Sequence, residues 1–469
     1  MKSGLNYKLS ELAQLKIHFI GIGGAGMSGI ARIMLAKGFS ISGSDKNDSS
    51  MLTALRALGA KIYLGHAAEN LADAQLVIVS SAITENNPEF AEAKNRGIPI
   101  AARAVALAWL MSESTSVAVA GTHGKTTTTA MLTVALQSAG LDPSFAIGGT
   151  INTAGINAHS GSGSIFVAEA DESDGSFLAY KPTGAIVTNV ELDHVDHFAD
   201  EAAVFAVFED FIASIKDGGF LVACGDDPGV KTLLSRITRS DLKIHLYGKG
   251  SNNDFRIDQI NLAPNSSRAI ISITGRKVGE LNLTVVGEHN LLNALAAFAA
   301  ATAMGGSEEK LLAGLKAFTG TRRRFELKGE VGGVKVIDDY GHHPTEVVVT
   351  LKAARNLAGA GRVIVIFQPH RYSRTAAFAS QFSNSLALAD FTYLLEVYAA
   401  SEKPIPGVSS LLIARGMKTE QVKFEPSMLQ VVSDVVEMAK SGDLILTLGA
   451  GDVSLLGDPI LQALATRFA

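Results

Sequence analysis

The sequence predicts an α/β protein of three domains: an N-terminal Rossmann-like domain, a central P-loop ATPase-like α/β domain with a small antiparallel sheet, and a C-terminal Rossmann-like α/β domain. Three observations carry this prediction. The chain has 469 residues, enough for about three domains of ordinary size. Short apolar, β-branched runs alternate with helical segments along most of it. Two of those runs end in glycine-rich turns, Gly21-Ile-Gly-Gly-Ala-Gly26 and Gly121-Thr-His-Gly-Lys-Thr126.

Composition narrows the class. Hydrophobic residues make up 47% and charged residues 19%, which is ample for buried cores. A net charge of −5 argues against a nucleic-acid partner or a membrane-surface protein. The single cysteine, Cys224, excludes an internal disulfide and a cysteine-rich metal site, and its apolar flank reads as a buried, inert thiol. The apolar segment 17–34 is broken by five glycines and no cleavage pattern follows, so it reads as neither signal peptide nor membrane span. A cytoplasmic protein without membrane insertion is expected.

The first domain is placed at residues 1–108. Lys16-Ile-His-Phe-Ile20 reads as a buried strand, and Gly21, Gly23 and Gly26 fit a dinucleotide-binding turn that opens a helix. A second strand ends at Asp45, about twenty residues on, where such folds place a ribose-binding acid. The turn specifies only a diphosphate on a helix N-terminus, so an NAD-dependent oxidoreductase and a UDP-sugar site both satisfy it. Ser80 and Ser81 follow a further strand and read either as phosphate donors or as a helix cap. His66, taken alone, reads as a surface-loop histidine.

The central domain is placed at residues 109–325. Val117–Ala120 reads as a buried strand, and Gly121, Thr122, His123, Gly124, Lys125, Thr126 and Thr127 form a phosphate cradle before a helix. Lys125 would reach the outer phosphates, and the Thr126 hydroxyl would sit on Mg2+. Two residues rather than four separate Gly121 from Gly124, a departure from the usual P-loop, and an ordinary strand-to-helix turn is the alternative. Strands at Ile165–Ala168 and Ala185–Thr188 run into acidic clusters, Glu169-Ala-Asp-Glu-Ser-Asp174 and Asn189-Val-Glu-Leu-Asp-His-Val-Asp196. Carboxylates crowded at a strand end repel one another unless a hard cation joins them, so Glu169 and His194 are candidate Mg2+ ligands. Ligands gather at the carboxyl ends of strands in open α/β sheets, which would bring both clusters to the phosphate loop. Runs at Lys243–Tyr247, Ala269–Ile273 and Leu281–Val286 suggest the small antiparallel sheet. Asn290 and Asn293 share one face of the next helix and read as base-edge amides, with an N-cap role the alternative for Asn290.

The third domain is placed at residues 326–469. Val334–Asp339 is a strand ending in two acids, followed by a Pro-started helix. Arg362–Phe367 is another strand, and Gln368-Pro-His-Arg-Tyr-Ser-Arg374 follows its carboxyl end. Arg371 and Arg374 would share a face if that turn is helical, and two guanidiniums suit a carboxylate or phosphate.

Two phosphate signatures and a pair of arginines suggest two phosphate-bearing ligands and a small carboxylate. ATP activates a carboxylate as an acyl phosphate, which an amine then converts to an amide. Seven stretches in order resemble the Mur ligase family: 21–31, 121–127, 169–174, 188–196, 287–293, 338–346 and 368–375. The resemblance implies an ATP-dependent carboxylate–amine ligase with ATP and Mg2+ as cofactors and UDP-N-acetylmuramate and L-alanine as partners, acting as monomer or homodimer. It implies UDP-sugar contacts at Gly21, Gly23, Gly24, Ala25, Gly26, Asp45, His66, Ser80 and Ser81, and ATP contacts at the phosphate loop, Asn290, Asn293 and Asp339. It places Thr126, Glu169 and His194 on Mg2+, and His342, Tyr340, His370, Arg371 and Arg374 around the reacting carboxylate and amino acid. Lys125, His194, Glu169, His342 and Arg371 would carry catalysis. Several relatives use a carbamylated lysine; no lysine lies between His194 and Ile215 here, and Glu209 is near that place. A ligase that recycles a murein tripeptide shares these motifs, although the 368–374 stretch favours alanine addition. An oxidoreductase leaves the phosphate loop idle, and a non-catalytic UDP-sugar sensor leaves the catalytic residues without use.

Overall fold

Apolar runs of four to six residues supply the strands, and their burial on both faces selects parallel sheets covered by helices. The computed structural model describes residues 7–173 and 175–468, so Asp174 of the first acidic cluster lies outside the described residues. By packing, the chain divides into two units. One comprises residues up to Val190 with Phe205–Arg256 and Ala294–Leu315; the other comprises Glu191–Val204, Ile257–Asn293 and the chain from Lys316 onward.

The first unit holds two sheets. The N-terminal one has five parallel strands in the spatial order Lys61–Leu64, Ser40–Asp45, Lys16–Ile20, Leu76–Val79, Ile100–Ala102. The order reverses between Lys16–Ile20 and Leu76–Val79, the place where such sheets open a ligand crevice. The strands that this unit contributes to the other sheet run Lys243–Gly248, Phe220–Cys224, Gly184–Val187, Thr115–Ala120, Ile165–Glu169, Ser144–Ala146, Ala158–His159; among these seven, the last pair is antiparallel and the others are parallel. The run 243–248 therefore corrects the sequence reading: it pairs in parallel with Phe220–Cys224 and is not part of a small antiparallel sheet. Its residues grade from exposed at Lys243 and Ile244 to buried at Tyr247 and Gly248. The helix Arg103–Ser112 passes through residue 108, and the next strand starts at Thr115, so the link between them is Glu113–Ser114. Cys224 is buried, and burial raises its thiol pKa.

The second unit holds the antiparallel hairpin Ser266–Ile273 with Arg276–Leu283 and a six-stranded sheet. That sheet is ordered Glu326–Val331, Val334–Asp339, Leu444–Leu448, Val363–Phe367, Phe391–Leu394, Val422–Phe424, antiparallel only at its first pair. Alternate residues feed two cores. Val336, Ile364 and Ile445 pack with Val431, Val435 and Leu464 on one face; Ile337, Val365 and Leu446 pack with Val347, Leu351 and Phe382 on the other. Among the described residues, no helix is long and apolar enough to cross a membrane.

Candidate active site

In the first unit, Gly21 leaves the strand Lys16–Ile20 at φ +79°, a left-handed conformation that suits glycine. The N–H of Gly23 donates to Asp45 Oδ2 at 2.8 Å, and a Cβ on Gly23 would come within 2.9 Å of that carboxylate. The turn thus ties the first and second strands together before the helix Ala25–Ala36 begins at its Gly24 cap. A cavity of about 640 Å³ opens here, lined by Gly21, Gly23, Gly24, Asp45, His66 and Ser80. Ser81 is exposed and does not line it. Neither serine caps a helix; Ser80 Oγ instead accepts the Ala82 N–H within a turn. His66 is not a free surface-loop residue, because its Nδ1 lies 3.0 Å from Ser44 Oγ and 3.3 Å from buried Glu89.

Ala25 and Gly26 face a second, smaller cavity of about 80 Å³, shared with Arg103, Gly148, Glu169 and Asp171. The Asn157 side chain donates to Ala25 O at 2.9 Å, fixing the helix start against the neighbouring sheet. The diphosphate-type turn and the acid of the P-loop sheet therefore share one lined space.

The phosphate loop follows Thr115–Ala120, whose neighbours Ile165–Glu169 and Gly184–Val187 end at the same level. Gly121 adopts φ +127°, and a Cβ there would collide with the Thr188 hydroxyl. Thr122 N donates to Asn189 O, His123 N to Asn189 Oδ1, and Thr188 Oγ1 to His123 O. These bonds hold the shortened loop open without the two extra residues of the commoner form. Gly124 caps the helix Lys125–Ser138 in the left-handed region, and Thr127 is buried in its first turn.

Lys125 Nζ donates to Gly121 O at 2.8 Å and to Glu172 Oε1 at 3.0 Å. Burial would lower the Lys125 pKa, but the carboxylates of Glu172, Asp171 and Glu169 raise it, and the lysine is a cation. Burial, opposed by Lys125 and reinforced by Asp171, pushes Glu172 up to about 7. Thr126 Oγ1 donates to Glu169 Oε1 at 2.9 Å, and Gly148 N donates to Glu169 Oε2 at 2.7 Å. A hydroxyl beside a carboxylate is an all-oxygen donor set, which fits a hard divalent cation such as Mg2+. Sequence reasoning missed Glu172 as the lysine's partner and Asn189 as the loop's support; the acidic run and the strand-end position were the available signals. Glu209 pairs with Arg236 at 3.0 Å on a partly exposed surface.

In the second unit, Asp339 ends the strand Val334–Asp339 and is buried. Its carboxylate accepts from Phe325 N at 2.7 Å, Gly341 N at 2.8 Å and Thr350 Oγ1 at 3.1 Å. Burial raises it to about 6, despite Arg324 and the two backbone donors. The Tyr340 ring faces the guanidiniums of Arg323 and Arg324 at 4.9 and 5.1 Å. His343 caps the helix Pro344–Ala358. His194 has φ +50°, and its Nε2 lies 3.8 Å from Asp193 Oδ2.

Arg374 is in the first turn of the helix Tyr372–Leu386, whereas Arg371 is the residue before it, at φ +70°. Buried Arg374 donates through Nε and Nη2 to Asp193 Oδ1, and Arg371 pairs with Asp196. Burial opposes ionisation of Asp193, but the Arg374 guanidinium beside it holds its carboxyl far below the usual range. Arg374 Nη1 also lies 3.3 Å from His370 Nδ1, and since guanidinium only donates, that nitrogen accepts. Burial lowers His342 to about 4 and, with His342 and the two arginines adding to it, His370 to about 3. Two neutral imidazoles 5.7 Å apart thus flank an arginine pair already holding carboxylates. Asn290 is inside the helix Glu288–Ala303, not its cap, and its amide donates to Val286 O at 2.8 Å; Asn293 lies one turn on, also buried.

Sheet order, shortened phosphate loop and strand-end acids define a multidomain α/β protein of P-loop architecture. Family models match the chain in sequence: the Mur ligase catalytic domain at residues 16–115, the Mur ligase middle domain at 119–301, and the Mur ligase glutamate ligase domain at 323–451. The chain belongs to the Mur ligase family. It is 49% identical to a UDP-N-acetylmuramate–L-alanine ligase of Acidothermus cellulolyticus over 97% of this chain and 96% of that relative. A protein of the same name from Renibacterium salmoninarum is 49% identical over 98% of both. Among solved structures, a UDP-N-acetylmuramate–alanine ligase from Thermotoga maritima superposes with a TM-score of 0.81 at 28% identity, covering 97% of this chain and all of that one. A murein peptide ligase from Psychrobacter arcticus gives 0.71 at 27% identity with the same coverage.

Proposed function

We propose that this protein joins L-alanine to the lactoyl carboxylate of UDP-N-acetylmuramate, converting ATP to ADP and phosphate, as a step of peptidoglycan precursor synthesis. The observation that carries the reading is the small cavity lined by both Gly26 and Glu169. A carboxylate carried by a diphosphate ligand seated on the glycine turn reaches the acid beside the phosphate loop through it. The carboxylate oxygen attacks the γ-phosphorus and ADP leaves; the amine then attacks the carbonyl carbon and inorganic phosphate leaves.

Lys125 holds the phosphates and stabilises the charge that develops on transfer. Thr126 and Glu169, with His194, are the proposed ligands of Mg2+. When bound, that ion neutralises phosphate charge. Asn290 and Asn293 are proposed on the adenine side, and Asp339 orders the strand end near Tyr340. His342 and His370, held neutral near pH 7, are proposed to line the place of the reacting carboxylate and the incoming amino acid as hydrogen-bonding groups. Arg371 and Arg374 are proposed to position the carboxylate ligands. We also propose boundaries near residues 108 and 325 for UDP-sugar, ATP and amino-acid domains, a cytoplasmic location, and a monomer or homodimer.

The test is phosphate release with ATP, Mg2+ and UDP-N-acetylmuramate, screened across amino acids and the murein tripeptide. Release fastest with L-alanine is expected. Turnover with the tripeptide but not with L-alanine would replace this reading by the recycling one.

A further inference from the structure

Beneath the glycine-turn pocket lies a polar cluster that the reaction as proposed does not use. Glu89, in the first turn of the helix Pro88–Asn95, is fully buried, as is His18 on the first strand. Glu89 Oε1 accepts from the Asn70 amide at 2.5 Å and from Ala67 N at 3.3 Å. Its Oε2 accepts from Ser44 Oγ at 2.5 Å and lies 3.3 Å from His66 Nδ1 and 3.6 Å from His18 Nε2. His18 is held from its other side by Ser42, 2.9 Å from Nδ1.

A hydroxyl has one proton to give. Ser44 gives it to Glu89, so its 3.0 Å contact with His66 Nδ1 requires a proton on that nitrogen. Burial alone would raise the Glu89 carboxyl, but His18 beside it and the bonds from Ser44 and Asn70 hold it down at about 2. A buried carboxylate costs more desolvation than an apolar side chain of the same volume, so packing does not account for it.

We infer that Glu89 is a positioning residue for ligand binding: with Ser44 it fixes the proton of His66 on Nδ1 and leaves Nε2 as the ring nitrogen presented to the pocket. This rests on reading that pocket as the nucleotide-sugar site. In this tautomer Nε2 offers a lone pair, which selects a hydrogen-bond donor of the nucleoside, a ribose hydroxyl or the imide N–H of a pyrimidine. A phosphate oxygen, itself an acceptor, is not its partner.

Glu89→Gln preserves volume. Because Asn70 and Ala67 both donate to Oε1, the new amide nitrogen takes the Oε2 place and donates toward Ser44 and His66. His66 Nδ1 then becomes an acceptor and the ring proton moves to Nε2. Nitrogen-15 spectra of the imidazole rings in the full chain, assigned with His66→Ala, report this without any ligand. The expected result is an Nδ1–H tautomer in the wild type and an Nε2–H tautomer in Glu89→Gln. In turnover, Glu89→Gln is expected to raise KM for UDP-N-acetylmuramate about tenfold while KM for ATP stays within about twofold. In the His66→Ala background the same substitution is expected to add nothing further. An Nε2–H tautomer in the wild type, or an equal loss with and without His66, overturns the inference. If Glu89→Gln fails to fold, the wild-type spectrum still decides it. Nδ1–H in a wild type that does not bind UDP-N-acetylmuramate refutes the assignment of the pocket and leaves the tautomer standing.

Discussion

Lys125 is the residue at which stability and the proposed chemistry meet. Its ammonium is held by two loop carbonyls and by Glu172, so the phosphates proposed to bind there would compete with a buried carboxylate. Lys125→Ala is expected to lower kcat by at least about 10²–10³-fold. Calorimetric titration with UDP-N-acetylmuramate should show an unchanged dissociation constant, because the glycine-turn pocket is lined by other residues. Loss of both would refute separate sites. Breaking a buried pair also costs about 3–5 kcal/mol while the partner remains charged. Glu172 already sits at about 7, above the ordinary carboxylate value, and losing Lys125 raises it further. The folded variant then keeps a proton that the unfolded chain releases, so stability declines as pH rises toward the folded pKa. Thermal melts between about pH 6 and pH 9 should fall more steeply for the variant than for the wild type. Parallel curves would show that Glu172 does not remain buried.

At the scale of elements, the turn 121–124 was legible because its left-handed backbone conformations call for glycine, and that demand is written locally in the sequence. Gly121→Ala tests this. A side chain at φ +127° is strained and would strike the Thr188 hydroxyl, displacing the loop. The expected kcat loss is about 10²-fold, with nucleotide-sugar binding intact; near-normal kcat would show that the loop tolerates a shift. What pairs across long separations was not legible. Glu172 lies 47 residues from Lys125, and Glu89 lies 45 from Ser44, so no spacing rule connects them. The strand Lys243–Gly248 was misplaced for a related reason. Nothing local in Lys243–Gly248 names its partner, the parallel strand Phe220–Cys224. The protein carboxylates that pair with Arg374 and Arg371 lie 181 and 175 residues away, so the sequence around the arginines gives no sign of them.

Across the whole molecule, the proposed activation and amine-capture roles fall on different parts of the sequence. Arg371, ion-paired with Asp196 and only half-buried, is proposed to serve the carboxylate ligands alone. Arg371→Ala is expected to raise KM for L-alanine about tenfold or more and to leave KM for ATP within about twofold. Equal increases in both would place it among the ATP contacts instead. The central claim is that phosphoryl transfer goes to a carboxylate before the amine attacks. It is tested most directly with UDP-N-acetylmuramate carrying oxygen-18 in its lactoyl carboxylate, turned over with ATP and L-alanine, and mass analysis of the released phosphate. An acyl-phosphate route predicts that one labelled oxygen appears in inorganic phosphate. Phosphate without label would contradict it.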